Sequence, residues 1–200
     1  MSTLLQINSG IFGDHSNSTT LANEFTSQYL AQHPATQVVV RDLVSQPISH
    51  LDASTIGAFA STEEDRTPEQ QALLDFSQNL IDELSAAEAV VLGLPMYNFN
   101  VPSQLKAYMD QVARAGVTFK YTETGPKGLL ADKPVYVIAA RGGFHQGQPS
   151  DTQTGFIKTF FGFIGLHNVQ FIYAEGVNMG DDAKAAAYSA AKDAMSKAFA

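Results

Sequence analysis

The chain has 200 residues, of which 44% are hydrophobic and only 16% charged, enough apolar material for a buried core and too little charge density for an intrinsically disordered chain. Twelve basic against 20 acidic residues leave a net charge of −8, which repels phosphate backbones and anionic lipid and argues against nucleic-acid and membrane roles. The absence of cysteine removes disulfide scaffolds, thiolate metal sites, iron–sulfur clusters and cysteine nucleophiles together, and fits a cytoplasmic protein.

In chain order, the first ten residues carry no basic region and only a short apolar run around Leu4, Leu5 and Ile7, which predicts no secretory signal. No stretch approaches the ~20 apolar residues of a membrane span. Five apolar runs of strand length follow one another, at 4–8, 38–43, 89–94, 134–140 and 169–174. Val38-Val39-Val40 and Val90-Val91-Leu92 do not alternate with polar residues, the pattern of parallel strands covered on both faces.

Between the runs lie the covers. Residues 18–32, 150–166 and 181–199 predict three helices. Thr67-Pro68-Glu69-Gln70 supplies an N-cap, a proline at the first helical position and a reciprocal glutamine, after which Leu73, Leu74, Leu80, Ile81 and Leu84 fall on one face. A fifth helix opens near Pro102 and is expected to end at Gly116 as a left-handed cap. Strand and helix thus alternate five times, and right-handed crossovers then place helices on both faces of one parallel sheet in a single domain over 1–200. Three connections, 44–66, 117–133 and 142–149, are longer than joining requires, and long loops in compact domains usually carry function.

Ligands of open α/β sheets bind beyond the carboxyl ends of the strands. Three loops should meet there. The first, Ser9 to Thr20, lacks both the G-x-G-x-x-G and the Walker patterns, yet Ser16, Asn17 and Ser18 stand where a helix begins, so hydroxyls, an amide and backbone N–H groups face any anion placed there. A terminal monophosphate suits them. The alternative is that Ser16 or Ser18 only caps the helix; one cap needs one such residue. The second loop, Pro95-Met96-Tyr97-Asn98-Phe99-Asn100, could bracket a planar ring or be an ordinary strand-to-helix turn. In the third, Arg141-Gly142-Gly143-Phe144-His145, paired glycines permit close backbone approach, although Gly-Gly also marks simple turns.

Other chemistries lack their residues. The five histidines have no ligand spacing, so no metal is expected, and no G-x-S-x-G elbow supports an esterase. Glu63, Glu64 and Asp65 read as a solvated loop. Phe160, Phe161 and Phe163 read as core, with room for a pocket wall.

Taken together, Pro95-Met96-Tyr97-Asn98-Phe99, Ala113-Arg114-Ala115-Gly116-Val117-Thr118-Phe119, Arg141-Gly142-Gly143 and Phe161-Gly162-Phe163-Ile164-Gly165 resemble the FMN-dependent NADH azoreductases and quinone reductases of bacteria, along essentially the whole chain. The resemblance implies a flavodoxin-like three-layer sandwich with a five-stranded parallel sheet of order 2-1-3-4-5, and a homodimer with one FMN in each of two shared active sites. It implies phosphate contacts from Ser16, Asn17 and Ser18, and ring contacts from Pro95, Met96, Tyr97, Asn98 and Phe99. Ala140, Arg141, Gly142, Gly143 and His145 fall on the pyrimidine side. Relatives often carry serine where this chain has Gly10 and Ala140, and Ser9 stands in for the first. Asn98, Gly143 and His145 are the expected catalytic contacts, and Phe59, Tyr121 and Phe163 the expected substrate wall. The implied reaction is ping-pong: NADH or NADPH gives a hydride to the flavin, and a quinone or azo compound takes it. The rival reading is a flavodoxin-like electron carrier, which would share the phosphate loop but has no use for the aromatic residues of 44–66 and 117–133.

Overall fold

Five parallel strands form the central sheet of the computed structural model, which describes residues 2–198. They are β1 (Thr3–Asn8), β2 (Gln37–Asp42), β3 (Ala89–Pro95), β6 (Val135–Arg141) and β7 (Val169–Glu175), in the order β2-β1-β3-β6-β7. Counting the sheet's own strands along the chain, this is 2-1-3-4-5. Strands β3 and β6 are buried along their whole length, as unbroken apolar runs in the middle of a covered parallel sheet must be.

Alternation along β1 separates two cores. Leu5 and Ile7 face one of them, with Leu80 and Leu84 of α3 (Pro68–Ala86), Leu105 and Met109 of α4 (Ser103–Val112) and Phe161 of α5 (Thr152–Ile164). Leu4 faces the other, with Leu21 and Phe25 of α1 (Asn17–Gln32) and Ala187, Ala191 and Met195 of α6 (Asp181–Ala198). Each fully buried Leu, Phe or Met side chain contributes roughly 1.5–3 kcal/mol, so both helical layers are held by burial. The reciprocal cap expected at Thr67 is present: Thr67 Oγ1 accepts from Gln70 N and Gln70 Oε1 accepts from Thr67 N.

Several expectations need correction. Val38-Val39-Val40 is not buried on both faces; Val39 and Val40 are 37% and 48% exposed, because β2 is an edge strand paired only with β1. The helix from Pro102 ends at Val112, not at Gly116, whose N–H instead donates to Phe119 O at 2.7 Å in the following turn. Residues 44–66 contain a helix, α2 (Ala53–Ala60), capped by Asp52. Residues 117–133 contain an antiparallel hairpin of β4 (Phe119–Thr122) and β5 (Gly125–Gly128). The expected helix end at Phe199 and the first residue, Met1, lie outside the described residues. No helix among the described residues is long and apolar enough to cross a membrane.

Candidate functional site

At the carboxyl end of β1 the chain turns through one 3-10 turn, Gly13–His15, into α1. Ser16 occupies the N-cap position but makes no side-chain cap; its Oγ accepts the Phe12 N–H at 3.1 Å instead. The first N–H groups of any helix have no intrahelical partner, so those of Asn17, Ser18 and Thr19 remain directed out of the helix end. The Ser18 and Thr19 hydroxyls are buried and have no hydrogen-bond partner in the protein. Buried hydroxyls are ordinarily paired; Ser18, the one of the two that lines the hollow, stands at a helix N-terminus whose positive dipole end suits an anion. The capping alternative is not what these serines do. Gly10 is part of the same construction: a Cβ there would lie 2.4 Å from Ser16 Oγ, so a larger residue would displace that hydroxyl.

Beyond β3, Tyr97 and Asn100 exchange backbone hydrogen bonds of 3.0 Å in both directions, with Asn98 and Phe99 at φ +49° and +64° between them. Two successive left-handed residues make a turn that glycine or asparagine adopts readily, and Phe99 there stores strain of order 1–3 kcal/mol. The start of α5 holds it: Gln153, fully buried, donates to Pro95 O at 2.8 Å and to Asn100 O at 3.1 Å, and Thr152 Oγ1 donates to Phe99 O. Tyr97 reaches back across the site, its hydroxyl accepting the Ile11 N–H at 3.1 Å.

The loop after β6 is clamped from beneath. Its carbonyls at Arg141, Gly142 and Gly143 accept from Val177, Asn178 and Gly176 N–H respectively. The Arg141 guanidinium, wholly buried, is turned away from the loop into ion pairs with Asp151 at 2.7 Å and Glu175 at 3.1 Å, and lies 5.0 Å from the Tyr173 ring centroid. Burial works to raise the Asp151 carboxyl, but hydrogen bonds from Arg141 and Thr154 outweigh it, and the group titrates below the ordinary carboxylate range. His145 is oriented by contact of Nδ1 with Ser150 Oγ at 2.9 Å and by an edge-on Phe99 ring at 5.9 Å.

The sequence-predicted residues gather in two adjoining hollows. Ser16, Asn17, Ser18, Pro95, Tyr97 and Ala140 surround the inner one. Asn98, Phe99, Gly143 and His145 surround the outer one, and Met96, Gly142 and Asn178 belong to both. Ser9 does not join them; its hydroxyl, fully buried, donates to Gly93 O at 2.7 Å inside the sheet. Nor does the Arg141 side chain. Tyr121 and Phe163 meet elsewhere, both against Phe119 at centroid distances of 5.5 and 4.2 Å, while Phe59 lies on α2, 5.8 Å from the Arg114 guanidinium. Four lining residues were not singled out from the sequence: Phe12, His15, Val177 and Asn178. The first two sit inside the loop that was. For the last two, the available signal was their place after the fifth strand, at the same sheet edge as the other loops.

Comparison with known proteins follows the same pattern. The family model described as the flavodoxin-like fold, Flavodoxin_2, matches residues 2–199. The chain is 55% identical over 192 residues to an FMN-dependent NADH:quinone oxidoreductase of Cellvibrio japonicus, covering 96% of each chain. To FMN-dependent NADH:quinone oxidoreductase 6 of Burkholderia lata it is 50% identical over 198 residues, covering 99% of this chain and all of the relative. Among solved structures, an azoreductase from Bacillus anthracis superposes with a TM-score of 0.90 at 27% identity, over 99% of this chain and 98% of the other. An FMN-dependent NADH-azoreductase from the same species, solved in complex with FMN, superposes with a TM-score of 0.87 at 28% identity, over 98% of this chain and 99% of the other.

Proposed function

This chain belongs to the Flavodoxin_2 family of flavodoxin-like fold, and on that premise we propose that it is an FMN-dependent NADH:quinone oxidoreductase that also reduces aromatic azo compounds. The observation that carries the reading is the buried, partnerless Ser18 hydroxyl at the N-terminus of α1, in a hollow that it shares with Ser16 and Asn17. A flavin mononucleotide has one terminal phosphate to place there and one flat ring to place against the 95–99 turn. The names of the relatives at 50–55% identity agree with it.

The residues present fit that group. Ser16, Asn17 and Ser18 would hold the phosphate. Pro95, Met96, Tyr97, Asn98 and Phe99 would line one side of the ring and keep water from it. Ala140 and the backbone of Arg141, Gly142 and Gly143 would take the pyrimidine side, where a Cβ on Gly142 would come within 2.7 Å of Asn178 Nδ2 and displace that amide from the wall of both hollows. A bound flavin would supply the two-electron redox chemistry between NADH or NADPH and the substrate. The protein's part would be orientation and charge: the Asn98 backbone and Gly143 would address the ring, and His145 would supply a donor to the pyrimidine side of the reduced ring. Ser9 supports the loop through Gly93 instead of touching the ligand.

The working unit in this reading is a cytoplasmic homodimer in which each chain forms one FMN-binding unit along its length. Phe59, Tyr121 and Phe163 stand apart from their own chain's hollows, and Tyr121 is 77% exposed, so they are available to wall a neighbour's site against quinones and azo compounds. The test is the absorbance spectrum of the purified protein with added FMN, followed anaerobically with NADH and then a benzoquinone. Bleaching by NADH and return of colour with quinone support the oxidoreductase. A colourless protein that ignores FMN overturns it, and a flavoprotein that NADH does not reduce is the electron carrier.

A further inference from the structure

The phenol of Tyr188, on α6, donates to Asn17 Oδ1 at 2.8 Å across 171 residues of sequence. Asn17 is the first residue of α1 and lines the inner hollow beside Ser16 and Ser18. A side-chain amide has one accepting oxygen and one donating nitrogen. With Oδ1 taken, Nδ2 is the end left for the hollow, and a donor is what an anion requires. We infer that Tyr188 is a positioning residue that sets this chain's preference for a phosphorylated over an unphosphorylated flavin by fixing the amide of Asn17 with its N–H groups toward the phosphate, an inference that rests on the flavin reading above.

Three features support it. The phenol is placed by packing, since Ala187 and Ala191 on the same helix are buried in the core that holds Leu21 and Phe25 of α1. Burial raises the phenol above its ordinary titration range, with a Thr20 hydrogen bond opposing, so the group keeps its proton at neutral pH and acts as a donor. Lys184 Nζ lies 5.7 Å from the Tyr188 ring centroid, a cation–π contact that adds to the packing that holds the ring in place. Riboflavin has the same ring and no phosphate, so it gains nothing from an oriented Asn17.

The experiment titrates the full chain with FMN and with riboflavin, following quenching of flavin fluorescence, for the parent, Tyr188→Phe, Asn17→Ala and the double variant. Removing one hydroxyl that orients a donor to a charged group should weaken FMN about 3- to 10-fold, leave riboflavin unchanged, and add nothing in the Asn17→Ala background. Equal losses for both flavins, or an undiminished loss when Asn17 is already alanine, would make Tyr188 a packing residue and overturn the inference. FMN binding identical in parent and Tyr188→Phe overturns it alone. A parent protein that binds neither flavin removes the flavin reading and the inference with it.

Discussion

The Glu175 carboxylate accepts the backbone N–H of His145 at 2.9 Å, and the same oxygen receives Gln146 N–H at 2.9 Å and the Arg141 guanidinium at 3.1 Å. One half-buried acceptor therefore sets the level at which His145 leaves the sheet, and contact with Ser150 Oγ sets its ring. A Cβ on Gly143 would lie 3.3 Å from His145 Nε2, so the free ring nitrogen stands against the backbone expected to meet the reduced flavin. A hydrogen bond to a charged group contributes roughly 1.5–3 kcal/mol, and about 30 mV corresponds to about 1.4 kcal/mol for a two-electron couple. His145→Ala is thus expected to lower the flavin potential by about 30–60 mV, measured by dye equilibration at full FMN occupancy. An unaltered potential would take His145 out of the mechanism.

Ser18 gives a prediction in which two readouts move differently. Its hydroxyl is buried and partnerless without ligand, so Ser18→Ala should leave the flavin-free protein as stable as the parent or more so, because an unsatisfied polar group is removed. FMN binding should weaken, since one donor to the phosphate is lost, by about tenfold or more. Urea denaturation of the flavin-free protein and FMN titration separate the two. Unchanged FMN affinity would return Ser18 to a purely structural role.

The strands and the main helices were legible because each announces itself locally: unbroken apolar runs at β3 and β6, and Thr67-Pro68-Glu69-Gln70 at α3. What escaped was built from distant partners or weak local signals. Helix α2 has only eight residues, includes Gly57 and leaves Ile56 exposed, so it lacks a clear apolar stripe. In the β4–β5 hairpin Lys120 pairs with Lys127 and Tyr121 with Pro126, a combination with little strand character. The two hollows followed from the rule that places ligands at strand carboxyl ends, and from loop composition. Their supports did not, because Gln153, Glu175 and Asn178 act across gaps of about 30 residues or more that no local pattern encodes. The left-handed backbone of Phe99 is likewise imposed by the clamp around it and contradicts its own preference.

Asp52 supplies a pH prediction. Its carboxyl caps α2, accepting from the Thr55 N–H first of all and also from the Thr55 and Ser54 hydroxyls, which together hold it down to about 2 from 3.8. A carboxyl with a lower pKa in the folded state contributes fully above its unfolded value and loses that contribution as pH falls toward the folded one. Asp52→Ala should therefore be less stable than the parent at neutral pH, and the gap should close as pH falls from about 4 to about 2. Urea midpoints of the two proteins across that range measure it. A gap that stays constant would mean that the cap works by geometry without the charge.

The last prediction concerns assembly. Of the aromatic residues expected to meet substrate, Tyr121 is 77% exposed on the β4–β5 hairpin, and Phe99, expected at the flavin ring, is 57% exposed at the rim of the outer hollow. Phe119 ties Tyr121 to Phe163, so hairpin and α5 present one aromatic group away from the hollows of their own chain. Exposed apolar surface beside a binding site usually marks an interface, and in a two-fold dimer one patch serves both chains, each lending its aromatic group to the other's site. Activity should then follow the dimer. Sedimentation velocity and NADH:quinone turnover over one dilution series test this, with specific activity expected to fall as monomer appears. If Tyr121 walls the neighbour's substrate site, as proposed, Tyr121→Ala should raise the KM for quinone while leaving FMN occupancy intact. A monomer with full specific activity would show that each chain is complete by itself, and would leave Phe59, Tyr121 and Phe163 without a part in substrate binding.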